Sequence, residues 1–330
     1  MHTQKHVEII PFQKKYTDTW ESIVHASNNG TIYHTQKFLN YHPKDRFDNF
    51  HHLISVGGKI CSVIPGAIIE SEAGKTFVSY PGASFAGFVL PETFGLEDTD
   101  QVVSAFLRYL EEQGFKRIDI TGTPFIFSAR QNQHIDFILS REGFGFKKRE
   151  MTSVVTLPGQ GTDILASFKD GCRRSIKKAI ARGVTVRVND SDQAYHAYYH
   201  ILKNNLELRH NVKPAHSLDE MIDIKKRFPD DVFLFAAYIE HKMIAGIWLI
   251  RANSRVSVPF YISHNHEHQE LRPINLLYYE VIKQGLEWNQ KYLDFGLFTV
   301  NMAPNYGLGR FKENFGAQGM FRDYFRKDYR

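Results

Sequence analysis

Between Arg173 and Arg187 the chain carries six cations, Arg173, Arg174, Lys177, Lys178, Arg182 and Arg187, and no acid. At helical spacing Arg174, Lys178 and Arg182 share one face, with Arg173 and Lys177 beside it. A solvated face usually mixes signs, so this one suits phosphate from an RNA end or a nucleotide sugar; plain solvation fits the same residues. Asp294 sits near the end of an apolar run, where a carboxylate can accept a proton or cap the following loop through its own backbone. Tyr80 and Ser84 flank Pro81 and Gly82 in a glycine-rich segment, offering hydroxyls to a sugar or peptide; Pro81, Gly82 and Gly87 also shape a tight turn. His264-Asn-His-Glu-His268 alternates histidines as a chelate would, but a metal needs further ligands, and none is expected. Cys172 is a nucleophile only beside a base, and Cys61 and Cys172 alone build neither a disulfide framework nor a zinc site.

The elements that must position these groups recur. Alternating β-branched residues around Gly57-Gly58 (His52 to Ile69) predict a hairpin, and Phe233 to Ile250 reads the same way around Glu240-His241. A second strand region follows each, Phe77 to Leu90 and Arg255 to Ser263. Next come amphipathic helices, Thr99 to Gln113 and Pro273 to Trp288, with Pro273 suited to the first helical position. Gly114 and Asn289, the residue types that best adopt the left-handed conformation, follow these helices. Buried strands come next, with Asp119 and Asp294 at matching places. Arg141-Glu-Gly-Phe-Gly145 matches Lys312-Glu-Asn-Phe-Gly316. Together these predict a duplicated unit of hairpin, strand, helix, strand and closing segment.

The 330 residues predict about two domains. The turn-rich segment 157–163 lacks periodicity, which places the domains at 1–150 and 151–330, with a tail, 317–330, able to return to the first domain's sheet. Each is expected to be α+β, and Thr17 to Ala26 is a predicted helix. Hydrophobic residues at 42% and charged residues at 23% are ordinary globular values and exclude whole-chain disorder. No apolar run reaches the roughly 18 residues of a spanning helix, and the start of the chain lacks a secretory signal, so the expectation is a cytoplasmic protein. Lys and Arg at 41 against Asp and Glu at 36 suit an anionic partner. Duplex-DNA-binding domains usually concentrate charge more strongly.

The tandem α+β pair ending in Arg310-Phe-Lys-Glu-Asn-Phe-Gly316 resembles the FemABX group, peptidoglycan bridge-forming aminoacyltransferases built from two GNAT-like domains. Arg173 to Arg187, a basic helix with a Lys-Ala pair and a Gly exit before a strand, is similar too, as is Asp294-Phe-Gly296. The resemblance covers residues 150 to 320 and reaches the first half only through the repeat. It implies two GNAT-like domains, each with a mixed, mostly antiparallel sheet flanked by helices. It also implies transfer of an aminoacyl or acyl group to an amine of a cell-envelope precursor. Phe311 and Lys312 fall at the family's Phe-Lys pair: Lys312 as the cation that stabilises a tetrahedral oxyanion, Phe311 beside the substrate. The alternative is a surface lysine on a short helix, with Phe311 and Phe315 in the core. Lys312→Ala is expected to remove turnover and spare the fold. On this reading Asp294 is the base, Tyr80 and Ser84 border the acceptor, and Arg173, Arg174, Lys177 and Lys178 take the donor.

The family's helical-hairpin arm is absent, and Pro81 to Gly87 departs from its Pro-Arg-Gly-Pro loop, which bears on the acceptor more than the fold. Neither repeat helix follows a glycine-rich pyrophosphate loop, and Glu97 and Asp98 at the first would repel a pyrophosphate. No tightly bound cofactor is expected; the donor is aminoacyl-tRNA or a larger acyl-CoA. An acyl-CoA-dependent enzyme acting on an amino sugar for polysaccharide synthesis, and a catalytically silent module for nucleotide sugars or RNA, are the competing readings.

Overall fold

A computed structural model describes residues 6–159, 161–210 and 212–329. The chain forms two compact units, residues 1–150 with 321–330 and residues 151–320. The first unit contains β1 (Val7–Pro11), α1 (Thr17–Ala26), α2 (Gln36–Leu39), β2 (Asp48–Asn49), β3 (His52–Val56), β4 (Lys59–Ile64), β5 (Ala67–Ser71), β6 (Gly74–Val78), α3 (Leu96–Glu112), β7 (Arg117–Thr121) and α4 (His134–Arg141). β8 (Gly145–Thr156) then leads into the second unit. There follow α5 (Ile164–Ser167), α6 (Asp170–Ala181), β9 (Val184–Val188), α7 (Asp192–His210), α8 (Leu218–Arg227), β10 (Val232–Ile239), β11 (Lys242–Arg251), β12 (Val256–His264), α9 (Pro273–Glu287), β13 (Tyr292–Leu297), the short pair β14 (Thr299–Val300) and β15 (Ala303–Pro304), and α10 (Tyr306–Glu313). β16 (Gln318–Asp328) carries the chain back to the first unit.

In the first unit β1-β3-β4 form an antiparallel sheet, and β2-β5-β6-β7 a second one that continues to β16, antiparallel to β7. Only β6 and β7 are parallel, because α3 connects them. Phe106, Leu107 and Leu110 of α3 pack with Phe77 of β6 and Ile118 and Ile120 of β7. The second unit repeats this around β13-β12-β11-β10-β9, with β12 and β13 parallel across α9. Its core joins Ile176 and Ala179 of α6, Leu277 and Val281 of α9, and Ile244 and Ile247 of β11. Two mixed, mostly antiparallel α+β units match the expected fold class. Pro273 opens α9, and Gly114 and Asn289 are left-handed at φ 76° and 55°.

Two predicted strands are interrupted. The run from Cys61 to Ile69 breaks at Pro65-Gly66: proline has no N–H for the ladder, and a Cβ on Gly66 would lie 2.2 Å from the Phe77 ring. The run from Phe77 to Leu90 leaves the ladder after Val78. Its next residues loop out at Pro81, and the chain returns to β7 where the Ala86 amide donates to the Thr121 carbonyl at 3.1 Å. Pro259, inside β12, is tolerated because it lies at a register shift against Trp248 and Leu249.

Candidate acyl-transfer site

In the second unit the parallel ladder between β12 and β13 is two residue pairs long, Val256 with Tyr292 and Ser257 with Leu293. β12 nevertheless runs on to His264 and β13 to Leu297. The strands therefore split beyond their paired ends, each keeping its other neighbour, β11 for β12 and β8 for β13. In the first unit the corresponding place beside β7 is taken by the protein's own chain. The Ser79 amide donates to the Asp119 carbonyl at 2.9 Å, the Thr121 amide to Ser79 Oγ at 2.8 Å, and the Ala86 amide to the Thr121 carbonyl.

Asp294 and Lys312 meet at the far end of β13. Asp294 is fully buried, accepting from the Thr152 hydroxyl and, at 2.9 Å, from the Gly296 amide. Gly296 has φ 79°, a conformation that suits glycine, and the Asp294 side chain closes this turn as an Asx turn does. Lys312 is 3% exposed, and its Nζ donates to the carbonyls of Gly296 at 2.7 Å and Leu297 at 2.9 Å. It is thus a buried strut between α10 and the strand end, not a surface lysine. α10 is started by Asn305, whose side chain accepts from the Leu308 amide at 2.9 Å. Phe315 is 1% exposed in the core, and Phe311 packs on it edge-on with ring centroids 5.4 Å apart.

α6 turns Cys172, Ile176 and Ala179 inward and leaves Arg174, Lys177, Lys178 and Arg182 exposed. Arg173 pairs with Asp170 and donates to the Ala166 carbonyl at 3.2 Å, so it serves its own helix start. Burial pushes the Cys172 thiol up to about 11, which keeps it protonated and unreactive. α9 starts differently from α3. Exposed Arg272, with φ 57°, precedes Pro273, whereas the first turn of α3 holds Glu97 and Asp98.

Tyr80 lies in the first unit with its hydroxyl donating to the Leu39 carbonyl at 3.0 Å; burial pushes it up to about 12. Ser84 is partly exposed in the same loop. Gly82 is required there for contact rather than for φ: a Cβ would lie 2.2 Å from His42 Nε2. Among the described residues no group of three or more His, Cys, Asp or Glu is placed to hold a metal, and the rings of His264 and His266 lie against each other at 5.1 Å. The sequence reading missed Thr152 and the turn at Gly296. A threonine in a β-rich run and a glycine after Asp-Phe carry no pattern that pairs them.

Residues 166–313, all in the second unit, match the model of the acetyltransferase (GNAT) domain family. No curated protein matches the chain in sequence. Among solved structures, FemX superposes with a TM-score of 0.73 at 14% identity over 98% of this chain and 97% of its own. The C-terminal domain of a putative lysylphosphatidylglycerol synthetase from Agrobacterium fabrum gives 0.60 at 12% identity over 94% and 90%. A tandem GNAT protein from the clavulanic acid biosynthesis pathway gives 0.58 at 10% identity over 98% of each. Residues 166–313 thus match the GNAT domain family and hold the strand split, and the chain as a whole follows the fold of FemX almost end to end.

Proposed function

We propose that the second unit binds an activated acyl donor in the β12–β13 split and passes its acyl group to an amine of a cell-envelope precursor. The observation that carries this reading is the two-pair ladder between strands that run on without pairing to each other, inside the segment matching the GNAT family. The edge of β12 turned away from β11 can bind an extended donor as a further strand would. The acceptor nitrogen attacks the acyl carbonyl; the C–S bond of a thioester, or the C–O bond of an aminoacyl ester, breaks; the proton lost from nitrogen ends on the leaving sulfur or oxygen. Lys312 and Asp294 act on this step by fixing the turn at Gly296, so their effect is one of position. Phe311, itself on α10, packs against Phe315 and helps seat that helix.

Exposed Arg272 at the start of α9, against Glu97 and Asp98 at the start of α3, supports a phosphate-bearing donor in the second unit. Acyl-CoA is the donor this favours, and an amino sugar is an acceptor of the right chemistry. The exposed cations of α6 also suit the acceptor end of an aminoacyl-tRNA, the donor that the resemblance of the sequence to the FemABX group implies, which makes that the second reading. On this reading the acceptor belongs to peptidoglycan or polysaccharide synthesis in the cytoplasm, and Ser84, partly exposed in the first unit beside buried Tyr80, is a candidate to touch it. Among the described residues no helix is long and apolar enough to cross a membrane.

The test is a product assay. Acetyl-CoA, longer acyl-CoAs and aminoacyl-tRNA are each incubated with amino sugars and muramyl-peptide nucleotides. Mass spectrometry reads a new amide, and thiol release reads the donor. An amide from one donor class supports the proposal. Saturable binding with no amide from any combination overturns it in favour of a binding module.

A further inference from the structure

The first unit contains a cavity of about 30 Å³ where the end of β7, the loop after it and the start of α4 meet. It is lined by Phe88, Phe94, Phe125, Asn28, Thr123 and Asp136 among others. Gly122 faces that carboxylate, since a Cβ built on it would lie 3.9 Å from Asp136 Oδ1. Among the described residues no donor hydrogen-bonds the Asp136 carboxylate. Asp323 on β16 and Arg149 on β8 are the charged groups acting on it. Arg149 is committed to Asp323, donating from two nitrogens at 2.8 and 3.0 Å. Two carboxylates thus share one guanidinium, and among the described residues the one in the cavity has no direct ion-pair partner of its own. Aromatic faces attract cations, and a carboxylate completes an ammonium's hydrogen bonds. The space suits a group about the size of one water molecule, far below the few hundred Å³ of an ordinary substrate pocket.

We propose that this cavity is a recognition site for the primary ammonium group of a small organic amine, held by Asp136 and the three phenylalanine rings. The site belongs to the first unit alone and stands whether or not the donor reading of the second unit is right. The cavity admits little more than the ammonium group itself. The rest of such a ligand therefore stays outside.

The test is thermal unfolding of the whole protein at pH 7.5 in methylammonium chloride, tetramethylammonium chloride and sodium chloride at equal ionic strength. Methylammonium is expected to raise the melting temperature above sodium in a saturable way, and tetramethylammonium, too wide for the cavity, is not. Asp136→Asn is expected to weaken methylammonium binding at least about tenfold. The same shift with all three salts, or an undiminished methylammonium shift in Asp136→Asn, overturns the proposal. At pH 5, where Asp136 takes up a proton under the push of burial and of Asp323, the methylammonium shift is expected to shrink.

Discussion

Replacing Lys312 by methionine keeps a long apolar stem and removes the ammonium. The two carbonyls it serves, at 2.7 and 2.9 Å, then lose a charged donor in a place where Lys312 itself is 3% exposed. Hydrogen bonds to a charged group contribute about 1.5–3 kcal/mol each. Against that stands the relief of no longer burying an ammonium, which offsets a large part of the loss. A net cost of about 3 kcal/mol follows, equivalent to a fall of about 6–12 °C in melting temperature for a unit of this size. Differential scanning calorimetry of the wild type and Lys312→Met measures it, with turnover followed at a temperature where both remain folded. The Lys312→Ala change expected from the sequence to spare the fold is, on this geometry, destabilising as well. A melting temperature within about 2 °C of wild type in Lys312→Met would refute the strut.

Three further outcomes follow from the same structure. Asp136 is raised from 3.8 to about 6, so the folded state holds its proton more tightly than the unfolded chain does. Stability from this group is present below about pH 4 and lost as pH rises through 6, by up to about 3 kcal/mol; urea unfolding should therefore show Asp136→Asn stabilising by about 1 kcal/mol at pH 4.5 and about 3 kcal/mol at pH 7.5. Gly246→Ala places a Cβ 2.6 Å from the Tyr198 ring, and denaturant unfolding should show a loss of about 1–3 kcal/mol. Arg174→Glu with Lys178→Glu reverses charge on the exposed face of α6, and affinity for a polyanionic donor should fall with a shallower salt dependence while the melting temperature hardly moves.

Much of the fold is legible in the sequence because periodicity and punctuation agree there. Thr17 to Ala26 is a helix over those residues, the hairpins turn at Gly57-Gly58 and Glu240-His241, and Pro273, Gly114 and Asn289 mark helix ends as their backbone preferences require. What was not legible depends on contacts between distant residues. Pro65 marks the end of β4 locally, but nothing local says that the chain after Val78 leaves its ladder and comes back to Thr121. The site follows the same rule. Lys312 and Asp294 stand out in the sequence. Their burial, and their common hold on the turn at Gly296, come from the packing of α10 and β8 onto β13. Asp136 is one acid in an amphipathic helix, and its lack of a partner appears only once Arg149 is seen to be taken by Asp323.

The most direct test of donor binding in the second unit is amide hydrogen exchange of the whole protein with and without a saturating donor, acyl-CoA in one arm and aminoacyl-tRNA in the other. The stretches of β12 and β13 that do not pair with each other, residues 258–264 and 294–297, are expected to gain protection with one donor, because a bound donor covers the edges they turn toward each other. Protection confined to the first unit, or none with either donor, would contradict the account.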